Sequence, residues 1–140
     1  MRSIDQILSD SKTIAIVGLS NKPDRASHEV AAYLQGNGYR IVPVNPSYAG
    51  QTILGEQVYP TLQEAADALA GSGQQIDIVD CFRKSEDIAP IARDAIAVRA
   101  GCLWMQLDIE NQAAADLARA AGLDVVMNHC IKIEHRSLNS

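Results

Sequence analysis

The chain has 140 residues, 47% of them hydrophobic and 21% charged, with a formal net charge of −5. That length suits a single domain, residues 1–140, that buries its own core without disulfides or metal, and the acid excess argues against the clustered Lys/Arg face on which nucleic-acid binding rests. The three cysteines, at 81, 102 and 130, form no CxxC pair and follow no leader, and no apolar run approaches a membrane span, so the expectation is a protein of the reducing cytoplasm with neither nucleic-acid nor membrane partners.

Ser3-Ile4-Asp5-Gln6 has capping-box spacing, and Ile4, Ile7 and Leu8 continue it as a short amphipathic helix. "TIAIVG" (13–18) is a β-branched apolar run ending in Gly, the pattern of a strand covered on both faces. From Ser27, read as an N-cap, Val30, Tyr33 and Leu34 repeat at helical spacing until Gly36 and Gly38. "YRIVPVNP" (39–46) is a second strand, although its Pro43 cannot donate to a ladder and prefers edges, bulges and strand ends. Residues 47–58 read as a loop, and Thr61-Leu62-Gln63-Glu64 is a second capping box that opens a helix through Leu69. "IDIVDCF" (76–82) is a third strand. Ser85, Glu86 and Asp87 open the next helix, in which Pro90 either kinks the helix or delays its start. "CLWMQL" (102–107) is a fourth strand, with Asp108 as cap of a helix that carries Ala114, Leu117, Ala118 and Ala121 before Gly122 ends it, and "LDVVM" (123–127) is a fifth.

Strands alternating with helices predict an α/β domain: a Rossmann-like, doubly wound, five-stranded parallel sheet with helices on both faces, in three α/β/α layers. Such sheets bind ligands beyond the carboxyl ends of their strands, where the strand order reverses. Candidate site residues therefore lie at 18–27, 45–47, 82–85 and 106–108.

The loop "GLSNKPDRAS" (18–27) offers the Ser20 and Ser27 hydroxyls, backbone N–H groups, a helix N-terminus and the cations Lys22 and Arg25. Those are the parts of an anion site, and equally of an ordinary solvated loop. "FRKS" (82–85) brings Arg83 and Lys84 to the same edge, so four of the twelve basic residues converge there, which favours a multiply phosphorylated ligand. A nicotinamide dinucleotide is disfavoured: Gly18 has no second or third Gly behind it, and the second strand ends in Asn45-Pro46 instead of an acid. A P-loop is absent too. His28, His129, Cys130 and His135 match no strong zinc or nucleophile pattern, and the tail around "NHCIKIEH" is expected to pack on the sheet or on a partner. Trp104 reads as core, while Gln106, two residues on, shares its face nearer the carboxyl edge, where it can meet a ligand.

"VGLSNKPDRASHEVAAYLQGNGY", "PVNP" followed by "ILG", "VDCFRKSE", "LWMQL" and "GLDVVMNHCIKIEH", in this order, resemble the small single-domain coenzyme A-binding proteins, related to the coenzyme A-binding domain of the succinyl-CoA synthetase α subunit. The resemblance spans nearly the whole chain. It implies coenzyme A or an acyl-CoA as ligand, with Gly18, Leu19 and Ser20 approaching the pyrophosphate and Lys22 or Arg25 supplying charge. It also implies that Val44, Asn45 and Pro46 border the nucleotide, with Cys81, Phe82 and Arg83 along its other side. A valine at Gly18 is expected to block the ligand's approach to this backbone. The chain departs from many relatives at Asp108, where Gly is common, and at Asn128-His129, where Asp-Arg precedes the Cys. The synthetases' phosphohistidine and nucleotide-grasping modules have no room in 140 residues, so binding is implied without catalytic apparatus. Two alternatives stand beside it: a small enzyme acting on an acyl-CoA or another nucleotide, and a structural or partner subunit, with a homo-oligomer or protein partner, whose pocket is vestigial.

Overall fold

A computed structural model describes residues 1–138. The helices are α1 Ile4–Asp10, α2 Ala26–Gly36, α3 Leu62–Ala70, α4 Ile88–Ala97, α5 Gln112–Ala120 and α6 Ile131–Leu138. The strands are β1 Thr13–Val17, β2 Arg40–Val44, β3 Thr52–Ile53, β4 Glu56–Gln57, β5 Ile78–Cys81, β6 Cys102–Met105 and β7 Asp124–Val126. Five of them form one parallel sheet in the order β2-β1-β5-β6-β7. The chain steps outward from β1 to β2, then returns past β1 to β5 and continues the other way, so the order reverses between β1 and β5. The expected doubly wound α/β sheet is present, and its switch point lies where Gly18 leaves β1 and Phe82 leaves β5.

Each sheet face has its own core. Ala15, Val79, Cys81, Leu103 and Met105 pack with residues of α3, α4 and α5 such as Leu62, Ile88, Ala92 and Ala118. On the other face Ile14, Ile16, Ile78, Cys102 and Trp104 pack with Ile7, Leu8, Val30, Leu34 and Ile131 of α1, α2 and α6. Because both faces are covered, the strands are apolar at nearly every position and do not alternate. Burying each large aliphatic side chain contributes about 1.5–3 kcal/mol, and the many alanines of α4 and α5 let those helices lie close to the sheet.

Pro43 is tolerated because β2 is the edge strand. Its carbonyl faces outward, accepting the Tyr59 N–H at 3.0 Å, and since a residue's N–H and C=O share one side of a strand, the missing donor falls outside the ladder with β1. Pro90 is accommodated by delay: a 3₁₀ turn at Ser85–Asp87 precedes α4, so Pro90 sits in the first helical turn, where an N–H has no intrahelical partner anyway. The Ser3 capping box forms in both directions, and Thr61 accepts the Glu64 N–H at 3.1 Å.

Three expectations need correction. Ser27 is not the N-cap of α2; Arg25 holds that position without a side-chain cap, and Ser27 lies one turn-position inside. Residues 47–58 are not all loop, since β3 and β4 make a small hairpin whose Leu54-Gly55 turn has both φ angles positive, the geometry that suits the right-handed twist of the flanking strands. Asp108 does not cap α5. That role belongs to Asn111, whose Oδ1 accepts the Ala114 N–H at 2.9 Å, because the chain first turns through Ile109, whose N–H donates to the Gln106 carbonyl.

The tail packs on the sheet, the first of its two expected places. α6 closes the α1/α2 side of the sheet: Ile131 is fully buried, Trp104 Nε1 donates to the His129 carbonyl at 2.8 Å, and the Ile131 N–H donates to Gln106 Oε1 at 3.1 Å. His135 is clasped edge-on between the Tyr33 and Tyr39 rings, its Nδ1 2.7 Å from the Tyr33 hydroxyl. Ile131 and His135 thus anchor the tail in the core.

Candidate functional site

Three adjoining clefts open at the carboxyl edge around the switch point. The first, about 360 Å³, is lined by Gly18, Ser20, Lys22, Arg25, Ala26, Ser27, Asn45, Tyr48 and Phe82. The second, about 280 Å³, lies toward β2 and α4 and includes Val17, Val44, Pro46, Arg83, Pro90 and Ile91. The third, about 520 Å³, lies toward β6 between Phe82, Arg83, Lys84, Asp87 and Ile109. Gly18 and Asn45 face the first two clefts, Phe82 the first and third, and Arg83 the second and third.

The first cleft is built by the loop from β1 to α2. The Gly18 N–H donates to the Val44 carbonyl at 2.9 Å and continues the ladder by one residue. The backbone then turns at φ +90°, and a Cβ on Gly18 would stand 2.5 Å from the Phe82 carbonyl oxygen and 3.1 Å from Arg83 Cδ. Glycine is therefore required by the close packing of the β1 loop on the β5 loop. That differs from the expected reason, in which the side chain would meet the ligand directly. Leu19 turns inward and is fully buried, its carbonyl accepting Asn45 Nδ2 at 3.0 Å. Asn45 Oδ1 in turn accepts the Ser47 N–H, so this one buried amide ties the end of β2 to the loop after β1.

Ser20 and Ser27 act on each other across the loop: the Ser20 N–H donates to Ser27 Oγ at 3.0 Å, and Ser20 Oγ accepts the Lys22 N–H at 3.1 Å. These bonds draw the loop around the start of α2, where Ala26 and Ser27, whose first-turn N–H groups have no partner among the described residues, line the cleft beside exposed Lys22 and Arg25. Oriented N–H groups, the positive end of a helix dipole and two cations together make a region suited to an anion. Arg83 Nη2 lies 3.7 Å from Asp87 Oδ2, with both side chains about half exposed, a contact worth little in stability.

Ten of the thirteen residues singled out from the sequence line these clefts, and three, the buried Leu19, Cys81 and Gln106, do not. Cys81 points into the core beneath α3, α4 and α5, fully buried, and burial pushes its thiol well above the usual range. Cys102 is raised likewise, chiefly by burial. Gln106 is spent on capping α6. Tyr48, Glu86, Pro90, Ile91 and Ile109 were not foreseen; Tyr48 follows "PVNP" closely enough to be reached by the same loop argument, whereas Ile109 comes from a turn that the assumed Asp108 cap concealed. Asp108 itself has φ +69° and donates its N–H to Asn128 Oδ1 at 2.7 Å, and Asn128 has φ +62°. The left-handed backbone explains why Gly suits position 108, and Asp is among the residues that tolerate it. Of the residues considered for covalent chemistry, His129 lies 3.7 Å from Glu134 and His135 is held by the two tyrosines; neither lines the three clefts.

A reversed parallel sheet with a helix N-terminus and cations over its switch point defines an α/β nucleotide-type fold. Within that class, the chain belongs to the family described as "CoA binding domain", which matches residues 12–136. It is 38% identical over 132 residues to the uncharacterized protein YneT of Bacillus subtilis (strain 168), covering 94% of this chain and 91% of that one. Among solved structures it is similar to cell-free ID.343 from Thermus thermophilus, with a TM-score of 0.86 at 32% identity over 99% of both chains. It is similar as well to a hypothetical protein from Pyrococcus horikoshii OT3, with a TM-score of 0.87 at 35% identity over 98% of this chain and 90% of the other.

Proposed function

We propose that the protein binds coenzyme A or an acyl-CoA at this edge in the cytoplasm, as a carrier or sensor that catalyses no reaction of its own. The observation that carries the reading is the first cleft: first-turn N–H groups of α2, Lys22 and Arg25 around a loop that lacks the dinucleotide glycines, in a chain of the CoA binding domain family. In this reading the pyrophosphate lies against Gly18, Ser20 and the start of α2, with Lys22 and Arg25 supplying charge. The nucleoside lies in the second cleft, where Val44, Pro46, Pro90 and Ile91 make an apolar slot at the end of β2. Arg83, at the junction, reads the ribose 3′-phosphate.

Calorimetric titration with coenzyme A, dephospho-coenzyme A, NAD and ATP at fixed salt tests it. Micromolar binding that prefers coenzyme A is the expected result, and affinity for none of the four would overturn the reading. Arg83→Ala should weaken coenzyme A about tenfold and dephospho-coenzyme A much less. A charge-assisted hydrogen bond contributes about 1.5–3 kcal/mol, and the low end applies to a half-exposed guanidinium. Equal losses for both ligands would show that Arg83 does not contact that phosphate.

A further inference from the structure

We infer that the third cleft, between the loops after β5 and β6, is a separate subsite that holds the thiol-ended arm of the ligand together with an aliphatic acyl group carried on it. The inference rests on the coenzyme A reading and adds to it a place and a class for the acyl group. At about 520 Å³ this cleft is the most spacious of the three, within the range that encloses small organic ligands. Its chemistry differs from its neighbour's. Where the first cleft presents amides, hydroxyls and two cations, this one has a mostly apolar lining, with Phe82 and Ile109 beside Lys84 and the Arg83–Asp87 pair. A mostly apolar lining in which the Arg83 charge is already engaged by Asp87 suits a hydrocarbon chain better than a second phosphate.

Continuity decides the occupant. Phe82 separates the first and third clefts and faces both, so a molecule with its pyrophosphate in the first is one side chain away from the third. Such a ligand has two arms. The nucleoside arm is accounted for on the β2 side, where ribose is usually read in folds of this kind. The other arm has the opposite direction left to it, over β5 toward β6.

The cleft is also held open by bonds that do not involve a ligand. Ser85 Oγ accepts the Glu110 N–H at 3.0 Å, and the Ser85 carbonyl accepts Asn111 Nδ2 at 2.9 Å, joining the two loops across it. The Ile109 turn is closed on the Gln106 carbonyl, and Asp108 is pinned to Asn128. A preformed apolar wall spares the ligand the cost of ordering the loops. Leu107, 55% exposed in the same turn, is a further apolar side chain on this loop.

The test is a ratio of affinities. Full-length protein is titrated with coenzyme A, acetyl-CoA and octanoyl-CoA, and again as Ile109→Glu. Octanoyl-CoA should bind the unmodified protein at least tenfold more tightly than acetyl-CoA, and in Ile109→Glu that ratio should fall to about one; taking the ratio within one protein cancels any general weakening of the site. A ratio near one in the unmodified protein would overturn the subsite while leaving coenzyme A binding in place. A ratio that survives Ile109→Glu would overturn it too, since the chain would then rest elsewhere. Failure of all three ligands would instead remove the coenzyme A reading and this inference with it. Should Ile109→Glu not fold, amide shift differences between the acetyl- and octanoyl-bound states carry the same decision: confined to residues 82–87 and 107–111 they support the subsite, and centred on α2 or β2 they refute it.

Discussion

Gly18→Val is expected to destabilise the protein by about 2–5 kcal/mol, with loss of ligand binding as a consequence of a displaced loop. Two costs add. A left-handed backbone at φ +90° costs a residue with a Cβ about 1–2 kcal/mol, and forcing an atom into packed space costs roughly 1–3 kcal/mol more. The neighbour at 2.5 Å is the Phe82 carbonyl oxygen, main chain just beyond β5, so no side chain can swing aside. Relief requires the loop after β1 and the loop after β5 to part, and Phe82 and Arg83 line all three clefts. Urea unfolding measures the first effect, as a midpoint shift at unchanged slope. Gly18→Ala meets the same oxygen with its single methyl and should show most of the loss. If Gly18→Ala kept normal stability but lost coenzyme A, the glycine would be a ligand contact after all, and the packing argument would fail.

Most of the architecture was legible because its determinants are local and redundant. Five apolar runs separated by helical periodicity leave few arrangements other than a parallel, doubly wound sheet, and edge placement of β2 follows from Pro43 itself. What escaped was decided by contacts across the fold. Ser27 looks like a cap in isolation, yet its hydroxyl serves the Ser20 amide. Gln106 points at the carboxyl edge as its spacing predicts, but the N-terminus of α6 arrives there first. Cys81 is adjacent in sequence to the cleft residue Phe82 and, by the alternation of a strand, faces the other sheet face. In the α5 region the local cap signal at Asp108 competed with Asn111, and the bonds from Ser85 and Asn128 to that loop, invisible in sequence order, favoured the later start.

A second large effect concerns Asp80, a residue the apolar pattern of β5 absorbed without notice. It lies between Ile16 of β1 and Trp104 of β6, fully buried, and neither carboxyl oxygen has a hydrogen-bond partner among the described residues. Burial raises its pKa well above the ordinary value of 3.8, because the ionised form would be an unpaired charge inside the sheet. The folded protein therefore holds a proton that the unfolded chain releases once pH passes 3.8. The stability linked to that proton is complete below the unfolded pKa and is lost as pH rises toward the folded one, at about 1.4 kcal/mol per pH unit for a single group. Asp80→Asn removes the titration while keeping the shape. Relative to the unmodified protein, its unfolding free energy should rise with pH above 3.8, by up to about 1.4 kcal/mol for each unit while the folded carboxyl keeps its proton. The thiols of Cys81 and Cys102 and the hydroxyl of Tyr39 are displaced upward, away from this window, and every group other than Asp80 is common to both proteins. Urea unfolding of both proteins at pH 5, 6 and 7 gives the difference directly. Parallel stability curves would mean that Asp80 is ionised in the fold with a compensating partner, and the carboxyl group would then have to be read as part of the site above it, since Cys81 and Phe82 continue the same strand into the clefts.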